Sequence, residues 1–175
     1  MEIDADLAAS VRMLADREAI RDCLLRYCRA IDRCDAELLR KLYWPEAHDD
    51  HGIWSGSAAE YVDWVIPLVQ ERFKVTQHLL GNLLIELEGQ QARVESYFQA
   101  FHEFREPVEA PSNVLLGGRY LDLLEKRQGQ WRILRRRVVF DWFHDLGRAR
   151  EWEEGPFGVP AYTGAFKPLD WVYRE

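Results

Sequence analysis

The chain is poor in the features that most directly announce a specialised chemistry. Of its 175 residues only three are cysteine (Cys23, Cys28 and Cys34) and only two are methionine. An odd number of cysteines, crowded into one helix-like stretch and its end, offers no disulfide framework. Their spacing does not match a zinc site either. A reducing cytoplasm is therefore the expected setting. No apolar run approaches the roughly 18 residues needed to cross a bilayer. The opening MEIDADLAAS is acidic, with no basic segment leading into an apolar one, so it does not read as a secretory signal. Positive charge is scarce as well: 23 Lys and Arg stand against 30 Asp and Glu, a net charge of −7. That balance disfavours a general nucleic-acid or anionic-membrane surface, both of which demand a positive field. There is no GxGxxG, P-loop, GxSxG or HExxH, so nucleotide-binding, serine-hydrolase and zincin chemistries have no support. Internal repeats and low-complexity tracts are also missing.

Aromatic residues are what the chain has in plenty. Seven Trp, seven Tyr and eight Phe make up 13% of it. Such a share serves either a ring-rich core and interface or a pocket for a flat, apolar ligand. The length suits one domain with a real core. Residues 5 to about 33 carry apolar side chains at three- and four-residue steps (Leu14, Ala19 or Ile20, Leu24, Tyr27, Ile31) and predict a helix, with Asp16 a candidate N-cap and a break near residue 15. A short helix at 36–43 and an amphipathic one at 58–73, capped by Ser57, follow. Between them, His48–Trp54 reads as a short strand or turn. From residue 75 the period changes: 76–88, 91–105, 114–126 and 131–143 are strand-like, separated by turn signals at Gly89-Gln90, Pro107–Asn113 and Gln128–Gln130. Helices first and strands later is an α+β pattern, here with a meandering antiparallel sheet. The expected organisation is a domain over 1–145 and an aromatic extension over 146–175. The extension is too rich in rings for a disordered tail, and should pack on its own subunit or a neighbour.

Three residues stand out chemically. His78 lies on a strand where alternation gives it Leu80, Asn82 and Leu84 as companions. Asp32 lies near the C-terminal end of the first helix, where the helix dipole disfavours a carboxylate, so it wants a donor or cation. Joined, they make sense of one another: the carboxylate would fix the imidazole tautomer and leave the other ring nitrogen as a general base. Arg136 shares a strand face with Leu134, Val138 and Phe140, so its charge must be paired internally or meet a ligand. Alternation also splits Arg135–Arg137 between two faces, which removes the arginine run as a nucleic-acid patch. The cluster His48-Asp49-Asp50-His51 invites a metal reading. Neighbours on a strand point apart, however, so pocket-lining roles for Asp50 or His51 are preferred and no metal is expected. Tyr97 and His102 sit on opposite faces of one strand, so at most one can face a given cavity. Tyr27, Trp44, Asn82 and Phe140 complete the expected substrate contacts.

The run DREAIRDCLLRYCRAIDRCD at 16–35, TQHLLGN at 76–82 and GQWRILRRRVVFDW at 129–142 together resemble the SnoaL-like branch of the nuclear transport factor 2-like superfamily. The likeness runs in order over about residues 10–143. It implies a cone: a bent antiparallel sheet closed by helices around a deep pocket, commonly as a homotrimer. Within the branch the chain is similar to hexachlorocyclohexane dehydrochlorinase and, more distantly, to scytalone and bile-acid dehydratases. Asp32 and His78 match the dehydrochlorinase's aspartate–histidine pair, and Arg136, five residues after Trp131, matches its arginine. The aromatic tail does not match that enzyme, which points to a different substrate. The resemblance implies a cofactor-free lyase using His78, Asp32 and Arg136 on a small hydrophobic, aromatic substrate. Water, halide, or an aldehyde released by C–C cleavage, as in diarylpropane lyases, are all open as leaving groups. Two other readings share the fold: a non-catalytic partner subunit, like the β subunits of ring-hydroxylating dioxygenases, and a ketosteroid-type isomerase.

Overall fold

A computed structural model describes residues 4–105, 113–147, 152–156 and 158–174. The turn expected at Pro107–Asn113 lies almost wholly outside the described residues, as does Phe157 of the aromatic extension. Helix α1 spans Ala5–Asp32 without a break, started by Asp4, whose carboxylate accepts from the Asp6 amide at 3.1 Å. Asp16 is therefore no N-cap. It works in tertiary packing, accepting from Lys126 Nζ at 2.6 Å and Trp131 Nε1 at 2.9 Å. Only from Ile20 onward is α1 buried, with Ile20, Leu24, Tyr27 and Ile31 recurring on the face turned to the sheet.

Helix α2 (Ala36–Lys41) is capped by Asp35, and strand β1 follows at once over Tyr43–Asp50. The strand begins earlier than the sequence suggested. Pro45 is tolerated because the pairing with β6 is interrupted between Tyr43 and His48 and β2 pairs with β1 only from His48 onward. Strand β2 (Ser55–Ser57) leads into α3 (Ala58–Arg72), where Ser57 and Glu60 cap each other reciprocally. Four long strands come next: β3 (Phe73–Glu88), β4 (Gln91–Phe104), β5 (Asn113–Arg127) and β6 (Gln130–Asp145).

The six strands form one curved, unclosed sheet in the order β2-β1-β6-β5-β4-β3. The α+β class holds, with one departure from an all-antiparallel sheet: β1 runs parallel to β6. Those strands are far apart in sequence and no hairpin joins them, so nothing forces the antiparallel sense. One face of the sheet packs against the helices. Ile85, Ala92, Val94, Phe98, Ala100, Tyr120, Leu124, Ile133 and Val138 point into that core, and Leu79, Leu84, Tyr97 and Leu121 lie outside it.

Among the register shifts of the long strands, two bulges correct the alternation around the expected site residues. Between Leu80 and Leu83, β3 carries one residue more than β4, so Leu83 and Ile85 turn inward while Asn82 and Leu84 are exposed. His78 therefore does not share its face with Asn82 or Leu84. In β6, Leu134 is the extra residue between Ile133 and Arg135, so Arg136 shares its face with Ile133 and not with Leu134. Near the other end of β6 the paired Gly117-Gly118 permits close approach. A β-carbon at Gly118 would overlap the Val139 carbonyl and press on Phe98, and one at Gly117 would meet the Trp142 ring.

The C-terminal extension packs on its own chain. Lys167 donates its amide to the Arg33 carbonyl at 2.8 Å and its ammonium to Asp35 at 2.9 Å. Buried Asp170 accepts from the amides of Ala165 and Val172 and pairs with Arg33 at 3.2 Å. Phe166 reaches the core, under the Arg105 guanidinium. The tail thus covers the α1–α2 turn, the residues directly after Asp32.

Candidate active site

Asp32 sits at the C-terminal end of α1, where the helix carbonyls repel a carboxylate. Three donors from β3 answer that repulsion. The His78 amide donates to Oδ2 at 2.8 Å, the His78 Nδ1–H to Oδ1 at 2.6 Å, and Thr76 Oγ1 to Oδ1 at 3.0 Å. Burial alone would raise the Asp32 pKa. The hydrogen bonds from the His78 ring and amide, with that from the Thr76 hydroxyl, outweigh it and hold the carboxyl below its usual range. Asp32 and His78 side chains are each about one-tenth exposed, so water reaches the pair only at its edge. Since a carboxylate can only accept, it selects the Nδ1–H tautomer of a neutral imidazole. Nε2 is left with its lone pair and makes no hydrogen bond to the described residues.

His102 meets His78 edge-on, with ring centroids 5.5 Å apart. It comes from the adjacent strand, where Thr76 pairs with His102 and His78 with Ala100. Burial pushes its pKa down to about 4, with repulsion from His78 in the same direction, so His102 is neutral at physiological pH. Its Nδ1 is buried and makes no hydrogen bond among the described residues. Phe73 closes this end at 4.8 Å from His102. Phe98 continues the wall, stacked on Tyr120 at 4.3 Å and met edge-on by half-exposed Phe140.

Arg136 is 2% exposed and pairs bidentately with Asp122 of β5, at 2.8 and 2.7 Å. The internal ion pair weighed for it is therefore present. Burial opposes the guanidinium charge, and Asp122 more than offsets that penalty. Tyr27 and Tyr120 hold the guanidinium between their rings, 3.8 and 4.2 Å from the two centroids. Among the described residues neither its Nη1 nor the buried Ser96 Oγ makes a hydrogen bond. Tyr27 lies five residues before Asp32 on α1, about 7.5 Å along the axis at 1.5 Å per residue.

A second polar cluster adjoins Arg136. Asp49 is fully buried and accepts from Tyr43 Oη and from His51 Nδ1, each at 2.5 Å. The other His51 nitrogen meets Tyr61 Oη at 3.1 Å, and Tyr61 Oη meets Tyr27 Oη at 2.8 Å. The His51 ring also stacks on Tyr61.

The fold thus groups His78, Asp32, His102 and Phe140 around one aromatic wall, and joins Tyr27, His51 and Arg136 beyond Tyr120. Four expected contacts are elsewhere. Trp44 is held between Arg127 and Arg132 and donates to the Glu125 carbonyl. Asp50 faces Arg137 and caps Gly52. Asn82 is exposed at the β3 bulge, and Tyr97 is exposed on the outer side of the sheet. Each is displaced for a local reason: alternation sends Asp50 and Tyr97 outward, a bulge turns Asn82, and cationic neighbours hold Trp44. Thr76, Asp122 and Tyr61 were missed as site residues, and Asp49 was named only within the metal-like cluster. Asp122 carried a readable signal, since it alternates with Tyr120 and Leu124 as a charge on an apolar strand face.

Comparison with known proteins agrees with this architecture. The structure superimposes on a hexachlorocyclohexane dehydrochlorinase, LinA-type3, from Novosphingobium barchaimii, with a TM-score of 0.72 at 20% identity over 81% of this chain and 99% of that one. A provisionally assigned scytalone dehydratase from Novosphingobium aromaticivorans gives 0.71 at 21% identity, with the same coverage. A nuclear transport factor 2-like superfamily protein from Salmonella enterica gives 0.66 at 17%, over 79% and 99%. At these identities the likeness is one of fold. In sequence, an uncharacterised Mycobacterium tuberculosis protein, Rv2910c, is 27% identical over 129 residues, 73% of this chain and 86% of its own. The SnoaL-like domain model matches residues 12–137. The chain belongs to the SnoaL-like domain family.

Proposed function

We propose that the protein is a cofactor-free lyase in which His78, held by Asp32, removes a proton from carbon and a β-leaving group departs. The single observation that carries this reading is the Asp32 carboxylate, bound by the His78 amide, the His78 ring and Thr76, with His78 Nε2 left unengaged. A base of this kind contributes about 10²–10⁴-fold, and positioning in a water-poor site supplies much of the rest. The neutral His102 ring, Phe73, Phe98 and Phe140 suit a flat aromatic substrate lying edge or face against them. Arg136 Nη1, charged and without a hydrogen bond among the described residues, suits an oxygen that gains negative charge.

The test is a panel of phenolic, polyketide-like and steroidal compounds. Binding is read as thermal stabilisation, and the stabilising compounds are then incubated with the protein and their products identified. Loss of water, halide or an aldehyde supports the lyase. Migration of a double bond with nothing lost would favour the isomerase, and stabilisation without any conversion would favour a binding protein.

A further inference from the structure

The outward side of α1 has no part in the site just described, and it is not an ordinary solvated surface. Leu7, Val11, Leu14, Glu18, Arg21 and Leu25 follow one another at alternating steps of four and three. That repeat, about 3.5 residues, is the seam of a coiled coil. The side chains that α1 buries, Ile20, Leu24, Tyr27 and Ile31, lie on the opposite side. Leu7, Val11, Leu14 and Leu25 are accordingly 57, 56, 62 and 50% exposed. Residues 5–15 include no buried side chain. The helix is tied to the sheet at Asp16, held by Lys126 and Trp131, and at Arg17, whose Nη1 donates to the Ile85 carbonyl at 2.8 Å. Its first eleven residues reach about 16 Å beyond those ties. A helix of that length is marginal in water by itself, so its three large, exposed apolar side chains call for a partner.

The other end of the same outward side opens into a groove of about 550 Å³ between α1, α2 and the C-terminal extension. Leu25 and Leu38 give it an apolar lining, and Arg26, Arg29, Lys41 and Lys167 bring positive charge. Its carboxylates, Asp22, Asp35 and Glu37, are already paired with Arg26 and Lys167. Arg29 and Lys41 make no ion pair among the described residues. The tip of α1 is complementary: acidic at Asp4 and Asp6, apolar at Leu7 and Val11. Tip and groove stand at opposite ends of one helix, however, with Leu7 and Leu25 about 27 Å apart along its axis. Only two copies lying antiparallel bring them together.

We infer that two copies of this chain pair antiparallel along the α1 seam, the acidic tip of each lying in the groove of the other. With Leu7 opposite Leu25 of the second copy, Val11 lies on the aliphatic stem of its Arg21 and Leu14 on that of its Glu18. Those two charges already pair with one another, at 3.6 Å, and stay at the rim. Asp4 reaches Arg29, which is held over the Tyr173 ring of the extension. The pairing also opposes the two helix dipoles. A parallel pair would set Asp4 beside Asp4, Glu18 beside Glu18 and Arg21 beside Arg21, like charges at three seam positions. Both the tip, residues 4–11, and the extension that supplies Lys167 lie outside residues 12–137, the part shared with the SnoaL-like family. The contact is thus built largely on what this chain adds to the domain. It does not depend on the lyase reading.

The test uses the full chain. Sedimentation velocity from about 1 to 500 μM, the span in which a modest interface assembles, should show the particle doubling in mass as concentration rises. Leu7→Gln with Val11→Gln alters the tip, and Leu25→Gln alters the groove. All three positions are exposed and glutamine suits a helix, so the fold is kept. Either variant should abolish the doubling and leave any smaller assembly as it is. Wild type and variants that sediment alike would overturn the pairing. Orientation is read from disulfides, which need Cα atoms within about 7 Å. Leu7→Cys and Leu25→Cys proteins, mixed and oxidised with diamide, should give a covalent dimer that neither gives alone; the three native cysteines are buried. Dimers from Leu7→Cys alone would mean a parallel pair, and no dimer in the mixture would mean a seam that serves another partner. Either result contradicts the proposal.

Discussion

Asp32 holds His78 at two points, backbone amide and ring, so the position of the strand and the tautomer of the imidazole are set by one carboxylate. That grip has a consequence for stability. The folded pKa of Asp32 is depressed, so its contribution is complete above the unfolded value of about 3.9 and is lost as pH falls through the folded value. Asp32→Asn should cost about 1.5–3 kcal/mol at neutral pH, the worth of charge-assisted hydrogen bonds. Urea unfolding of both proteins at stepped pH should show the difference shrinking below about pH 4. A difference constant down to the acid limit would mean that Asp32 is not held ionised by its donors.

His102 should act over a different range. Its folded pKa is about 4, below the unfolded value of about 6.5, so the unfolded chain binds the extra proton between them. Stability should therefore fall as pH drops from about 6.5 toward 4, by on the order of 2–3 kcal/mol for this group. His102→Gln should flatten that part of the profile. Chemical unfolding from neutral to mildly acid pH checks it.

The Arg136–Asp122 pair is fully buried and bidentate. Removing one partner leaves a lone buried charge, so Arg136→Met or Asp122→Leu should each cost about 3–5 kcal/mol. The double variant should cost much less than the sum, because no charge is then stranded. A double-mutant cycle from urea melts measures the coupling, and additive losses would contradict the pairing.

The tail depends on Asp170, which accepts from two amides and pairs with Arg33. Asp170→Ala should leave those donors unmet at a cost of about 1–3 kcal/mol, confined to the segment after residue 160. Limited proteolysis should then cut the tail faster while the remaining domain stays intact. An unchanged cleavage rate would show that the tail is held by Phe166 and Lys167 without Asp170.

Much of this was legible in the amino-acid sequence. Periodicity placed the helices and the four long strands to within a few residues, because each buries one regular face. The awkward position of Asp32 at a helix end, and of His78 and Arg136 among apolar strand residues, marked them as groups in need of partners. What was not legible came from small local departures. Extra residues in β3, between Leu80 and Leu83, and in β6, at Leu134, change which side chains face inward, and alternation cannot foresee a bulge. Pro45 concealed the start of β1, and with it the inward direction of Asp49. Tyr61 read as one apolar helix residue among several, since a hydroxyl's partner is set by tertiary distance alone.

The central claim is that His78 is a base held by Asp32. Its most direct test is turnover of a panel compound that the wild type binds and converts, followed by the rise of its product, in wild type, His78→Gln and Asp32→Asn. Circular dichroism confirms that each variant is folded. The account predicts loss of turnover by about 10²-fold or more in both variants and a slower wild-type reaction when the departing hydrogen is deuterium. Wild-type turnover retained in folded His78→Gln would contradict it.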